Sequence, residues 1–304
     1  MLNRRQLLTR LAGAVIAGTA TPRRGAAQAA TTALGDRLSL ITSAGTNVLA
    51  LSTPDGLVLV DSGAPDRSDA LIAGLKSLSG GAGVRTVFNT HYHPENTGAN
   101  EVLRQGGATI VAHENTRLWM ATPVWNPAED RYRPPRPVAA QPTRTFRTEE
   151  SMAVGGERVD YGYLIEAHTS GDIYIQFRGA NVLAVGDVAS PARDPELDYF
   201  TGAWIGGRVD AMDRLLDLCD DGTRVVPGFG PVMTKAQLKA ERDMMKAVYD
   251  RTVDQVREGD DATDMLKAGV LNGLARTWKD PQRFLYDVQK GLWAHHNKLS
   301  PNVV

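Results

Sequence analysis

A chain of 304 residues, 42% of them hydrophobic, is long enough to bury a substantial core in one or two domains. The formal net charge of −1 hides an asymmetry, because residues 1–29 hold five arginines and no acid and leave 29 basic against 35 acidic residues in the remainder. A mildly acidic body excludes a nucleic-acid partner gripped through a basic face, and the lone Cys219 excludes an internal disulfide.

The first thirty residues, MLNRRQLLTRLAGAVIAGTATPRRGAAQAA, carry Arg4 and Arg5 and then an apolar run from Leu11 to Ala20, too short to span a bilayer comfortably. Ala27-Gln28-Ala29 has the small-x-small form that signal peptidase accepts, so residues 1–29 read as a cleaved export signal. The paired arginines before Gln6-Leu7-Leu8 resemble a twin-arginine signal, which implies a periplasmic or secreted protein with no stable membrane span after cleavage. An amphipathic N-terminal anchor is the alternative.

Residues 30–304 are expected to form a single domain, of which 234–304 is a mainly helical extension. RLSLITS, NVLALST and GLVLVDSG are short β-rich runs divided by turn signals, which predicts an antiparallel meander. DRSDALIAGLKSLSG predicts a helix capped by Asp66 or Ser68 and stopped at glycine. RTVFNT predicts the next strand, followed by a helix from Thr97 to Arg104, strand ATIVAH and helix ENTRLWMA, an alternation that favours α/β layering. Residues 122–142 contain six prolines and read as an extended surface loop. Strands RTFRT, ERVDYGYLIEA, DIYIQFRG and NVLAVGD follow, then a helix near residues 207–219 and strand TRVVPG. From Lys235 the pattern is helical in three segments, KAQLKAERDMMKAVYDRTVDQVREG, DATDMLKAGVLNGLARTW and PQRFLYDVQKGLWAHH.

The reactive residues gather where β-like runs end. In THYHPENTGAN, residues 90–100, His91 and His93 stand at i and i+2, so in an extended segment both side chains point the same way and can share a metal. Two solvated or capping histidines are the plain alternative. His168 in EAHTSGD and Asp187 in VLAVGDVAS occupy similar junctions, and three imidazoles with one open position suit catalytic zinc better than structural zinc. His113 reads as structural, Asp172 as a cap of the turn after His168, and His295 and His296 as solvated or packing residues. Trp119, Trp125, Tyr132, Tyr199, Phe200 and Trp204 either wall an apolar substrate pocket or pin loops to the core.

Taken in order, GLVLVDSG, NTHYHPENTGAN, VAHENT, AHTSGD, VLAVGD and VVPGFGP resemble the metallo-β-lactamase fold hydrolases over residues 37–231. The resemblance implies an αβ/βα sandwich of two mixed sheets with flanking helices, an α/β fold with its metal site at one edge. It implies that His91, His93 and His168 hold a first metal. The family's second metal uses the end of HxHxDH, the histidine of PGHGP and a bridging aspartate, here Asp187. This chain has Glu95, Asn96 and Phe229 at the other three positions. Phenylalanine has no lone pair and an amide is a poor zinc ligand, so one tightly held zinc is expected, with a second weak or absent.

One zinc is enough to activate water for hydrolysis. Glu95 then serves as general base or merely orients that water, and Asp187 is a fourth ligand or a hydrogen-bond partner of the same water. Asp61 resembles the family's buried aspartate that braces the metal loop, with a strand-end turn former as the alternative. Asn96 reads first as the N-cap of the helix from residue 97, and second as a hydrogen-bonding group for the loop or a substrate. The expected activity is hydrolysis of an ester, thioester, lactone or amide/lactam bond in a small-molecule substrate. Its rivals are a mononuclear iron oxygenase of the persulfide dioxygenase type, with Asp187 among the iron ligands, and a degenerate, non-catalytic binding protein on the same fold.

Overall fold

A computed structural model describes residues 31–126 and 130–295, so the expected export signal and His296 lie outside the described residues. Four strands come first, β1 (Thr31–Ala33), β2 (Leu38–Ile41), β3 (Val48–Thr53) and β4 (Gly56–Val60), each antiparallel to the one before. Next are α1 (Ser68–Ser79), β5 (Val84–Phe88), the short helices α2 (Pro94–Thr97) and α3 (Asn100–Gln105), β6 (Thr109–His113) and α4 (Glu114–Ala121). A hairpin of β7 (Val124–Asn126) and β8 (Arg131–Arg133) precedes β9 (Arg144–Phe146). Parallel pairing of β4, β5, β6 and β9 completes a seven-stranded mixed sheet.

The second sheet has five strands, β10 (Glu149–Val154), β11 (Glu157–Tyr163), β12 (Ile173–Phe177), β13 (Val182–Gly186) and β14 (Arg224–Pro227), with only the last pair parallel. Helix α5 (Ile205–Asp217) makes the crossover before β14, and α6 (Lys235–Glu258), α7 (Ala262–Lys267) and α8 (Pro281–Ala294) follow it.

The apolar runs are continuous because these strands are covered on both faces. Leu49, Leu51, Val58 and Val60 point into the core between the sheets, where they meet Val159, Ile175 and Phe177. Their alternate neighbours Val48, Ala50, Leu57 and Leu59 pack against Leu71 and Leu75 of α1 and Leu103 of α3. On the far side Leu183 and Val225 are covered by Met212 of α5, Met245 and Val248 of α6, and Leu285 and Val288 of α8. The layers are therefore helix, sheet, sheet, helix, as the family resemblance implies.

Several local expectations need correction. Neither Asp66 nor Ser68 caps α1; the cap position is Arg67, without a side-chain bond, although Gly80 ends the helix in the left-handed region as expected. The helix predicted from Thr97 to Arg104 is broken in two at Gly98, where a Cβ would collide with the backbone of Ala64 and Pro65. Strand β10 comes from EESMAV, whose residues are alternately exposed and half-buried at a sheet edge, and the proline-rich loop contains the β7–β8 hairpin. Of DATDMLKAGVLNGLARTW only Ala262–Lys267 is helical, since Gly269 and Gly273 adopt positive φ.

The two sheets are stapled at one edge. Ile173 N donates to Thr90 O at 2.9 Å, Asn47 N to Gly228 O at 2.8 Å, and Asn47 Nδ2 to Pro227 O at 2.8 Å. Gly186, at φ 52°, lets this edge close: a Cβ there would lie 2.7 Å from Thr90 Oγ1. The ends of β4, β5 and β13 and the β11–β12 loop are brought together here.

Candidate metal centre

His91 and His93 follow β5, His168 lies in the β11–β12 loop, and Asp187 follows β13. Their ligand atoms all lie within 4.8 Å of one another, and all four residues are buried. The three rings sit edge to face, with centroids 4.7–4.8 Å apart. His91 Nε2, His93 Nδ1, both ring nitrogens of His168 and Asp187 Oδ1 are buried without a hydrogen-bond partner. Orphaned polar atoms at this density are costly unless something binds them. Imidazole nitrogens with a carboxylate oxygen are the donor set of a transition-metal site, so these residues fit a zinc or iron ion.

The rings of His91 and His93 are held from behind, and His168 is held through its backbone. Asp61, 2% exposed and at φ 62°, accepts from Thr90 N, Thr90 Oγ1 and Asn96 Nδ2, each at 2.8 Å. With its proton committed to Asp61, the Thr90 hydroxyl accepts from His91 Nδ1 at 3.0 Å, which leaves Nε2 with a lone pair. Asp61 thus braces the loop, and Asn96 is no helix cap: it lies inside α2 and serves Asp61. His93 Nε2 faces Asp198 Oδ2 at 3.4 Å, and the same carboxylate accepts from Tyr92 OH. Asp172 caps its turn as expected, accepting from His168 N and Thr169 N at 2.6 Å and from Thr169 Oγ1 at 3.0 Å.

Burial, then repulsion from neighbouring rings, keeps His91 and His168 well below the ordinary imidazole range, so both are neutral. For His93 burial acts downward too, but the Asp198 hydrogen bond with Glu196 and Glu95 outweighs it and lifts the ring to about 10. Without a metal the ring therefore carries a proton on both nitrogens, Nε2–H toward Asp198 and Nδ1–H toward the cluster, and a metal ion would have to displace the Nδ1 proton. Burial pushes Asp187 up to about 6, against the pull of Arg193 and His93.

Nothing in the sequence pattern marks Asp198, Arg193 or Arg208, because each acts through long-range contacts of an irregular loop. Arg193 pairs through Nη2 with Asp187 Oδ2, and its guanidinium lies over the Phe229 ring, 3.7 Å from the centroid. Arg208 is fully buried and donates at 2.8 Å to Asp187 O, Ser190 Oγ and Glu196 O, which fixes the loop after β13.

A cavity of about 440 Å³ opens beside His93 and Glu95. Tyr92, Trp119, Trp125, Tyr199 and Phe200 wall it, and Arg283, Phe284 and Asp287 of α8 close one side. Glu95 lines this mouth and is not among the four clustered residues. Trp204 does not join the wall; it is 6% exposed and stacks on His295 at 4.8 Å, so His295 is a packing residue. Tyr132 packs edge-on against Trp125 at 5.1 Å. His113 is structural: Nδ1 accepts from Asn115 N at the start of α4, Nε2 donates to Arg147 O, and the ring stacks on Tyr163.

Residues 42–244 match the sequence model of the metallo-beta-lactamase superfamily. Among characterised relatives, a metallo-beta-lactamase type 2 from Bacillus cereus is 25% identical over 200 residues, covering 66% of this chain and 73% of its own length. A metallo-beta-lactamase structure from Pontibacter korlensis superposes with a TM-score of 0.58 at 21% identity, over 72% of this chain and 99% of that one. The stereoselective inverting sec-alkylsulfatase of a Pseudomonas species superposes with a TM-score of 0.64 at 14% identity, over 88% of this chain and 50% of that one. The sandwich, the converging histidines and the match across most of its length agree: this chain belongs to the metallo-β-lactamase superfamily, a superfamily of hydrolytic enzymes.

Proposed function

We propose that the protein is a mononuclear zinc hydrolase, exported to the periplasm by its Arg4-Arg5 signal, that cleaves an ester, thioester, lactone or amide/lactam bond in a small molecule. The observation that carries this reading is the convergence of three histidine rings with orphaned nitrogens, one of which, His93, lines an aromatic-walled cavity. Zinc held by His91, His93 and His168 would lower the pKa of a water and polarise a carbonyl. Glu95, on the cavity wall, accepts the proton that the attacking water gives up. Asp198 and Asp61 hold His93 and His91 in register, and the aromatic wall seats the apolar part of the substrate.

Asp187 within the cluster favours a second reading, mononuclear iron held with two of the histidines. Metal content per chain and turnover on a panel of esters, thioesters, lactones and lactams separate the two. We expect one zinc per chain, lost in His168→Ala and retained in Glu95→Gln, with Glu95→Gln slower by about 10²–10⁴-fold. Stoichiometric iron with oxygen uptake supports the oxygenase. A zinc-loaded protein that hydrolyses nothing on the panel overturns the hydrolase.

A further inference from the structure

We propose that Arg193 is a built-in cation that occupies the place of a second metal ion and so fixes this centre at one metal; the proposal rests on reading the histidine cluster as a metal site. Its guanidinium pairs with Asp187 Oδ2, the oxygen that lies 3.8 Å from His91 Nε2, so it stands directly beside the cluster. The same guanidinium lies over Phe229, its Cζ 3.7 Å from the ring centroid. A phenylalanine cannot ligate a metal, but its π face attracts a cation, so Phe229 holds the arginine where it would have no use for a metal. Asn96 is also committed elsewhere, since its Nδ2 donates to Asp61 Oδ2.

The arginine is anchored as well as paired. Arg276 Nη1 donates to Arg193 O and, at 2.9 Å, to Ser190 O, while Arg276 Nη2 lies 3.6 Å from Glu241. Ala192 packs onto Gly230, where a Cβ would approach Ala192 Cβ to 2.7 Å, so the loop carrying Arg193 is pressed against the turn carrying Phe229. A guanidinium brings a positive charge and a planar set of donors but no lone pair, so it can pair with the Asp187 carboxylate and cannot itself ligate a metal. A second dication would have to displace a fixed positive charge from Asp187 and find its remaining ligands among the Glu95 carboxylate, an aromatic ring and an occupied amide.

The test is metal stoichiometry, read by elemental analysis and by cobalt(II) titration followed through its d–d absorption, on the full protein and on Arg193→Ala, Arg193→Lys and the double variant Arg193→Ala/Phe229→His. We expect one equivalent in the parent and in Arg193→Lys. Arg193→Ala should show a second cobalt equivalent at least about tenfold tighter than any seen in Arg193→Lys, and the double variant should reach two equivalents; if the double variant does not fold, the Ala and Lys pair decides. Two equivalents in the parent, or one equivalent in Arg193→Ala and in the folded double variant, overturns the role of Arg193 and leaves the metal centre standing. A parent that binds none overturns the metal centre itself, and this proposal with it.

Discussion

Replacing Asp61 with asparagine separates what this residue does for the fold from what it does for the metal. The carboxylate accepts three hydrogen bonds of 2.8 Å, and asparagine tolerates the positive φ of this position. The new amide oxygen keeps the bond from Thr90 N, while Asn96, whose Oδ1 has no partner, can turn to accept from the new NH₂. With the Thr90 hydroxyl also accepting from that NH₂ the number of hydrogen bonds is unchanged, and the loss to the fold is at most about 1 kcal/mol. The Thr90 hydroxyl fares differently. Facing an NH₂ donor, it accepts there and turns its own proton toward His91 Nδ1, which favours the tautomer protonated on Nε2, the nitrogen aimed at the cluster. Groups that set the tautomer of a ligating histidine are worth about 10–100-fold in metal affinity, or about 1.4–2.7 kcal/mol. The assay is zinc competition against a chromophoric chelator at pH 8, above the value of about 7 to which burial raises Asp61, with a thermal melt of the metal-free protein alongside. Parent-like zinc affinity in Asp61→Asn would refute the reasoning.

Two further outcomes are expected. Asp287 is buried against Arg283 Nε, at 2.9 and 3.0 Å, and burial outweighs that pairing to raise its carboxyl to about 7. The folded state therefore holds a proton that the unfolded state has released between about pH 4 and 7, and the group's contribution to stability falls as pH rises through that window. Asp287→Asn lacks this term, so its Tm relative to the parent should climb from pH 5 to pH 8; a gap that moves the other way contradicts the assignment. Gly228→Ala places a methyl group against Asp187 Oδ1 and 3.4 Å from Asn96 Nδ2. It should lower stability by about 1–3 kcal/mol and weaken metal binding together, and a variant with parent-like melting and zinc affinity would show that the approach is not tight.

The sandwich and the histidine trio are legible in the sequence for one physical reason. Strands covered on both faces leave unbroken apolar runs, and His91, His93, His168 and Asp187 each stand just past or beside such a run. What is not legible depends on tertiary contact. Asp198 and Arg193 lie in the stretch between β13 and α5, where no periodicity constrains side-chain direction, and Tyr92 and His93 for the one and Phe229 for the other are distant in sequence. Asn96 looks like a helix cap because local sequence carries cap chemistry, whereas the buried carboxylate of Asp61, thirty-five positions earlier, competes for its amide. Strand β10 escapes notice because its glutamates face solvent at an edge and nothing in EESMAV alternates strongly.

Helix α8 has a consequence beyond packing. Its Arg283, Phe284 and Asp287 form one side of the cavity, and the Asp194 carboxylate on the opposite loop accepts from Lys279 N and Asp280 N just ahead of it. One side of the cavity beside the histidine loop is thus encoded far from that loop, in the last helix of the described chain. Substitutions at Arg283, Phe284 or Asp287 would therefore reshape that side of the cavity without touching His91, His93, His168 or Asp187.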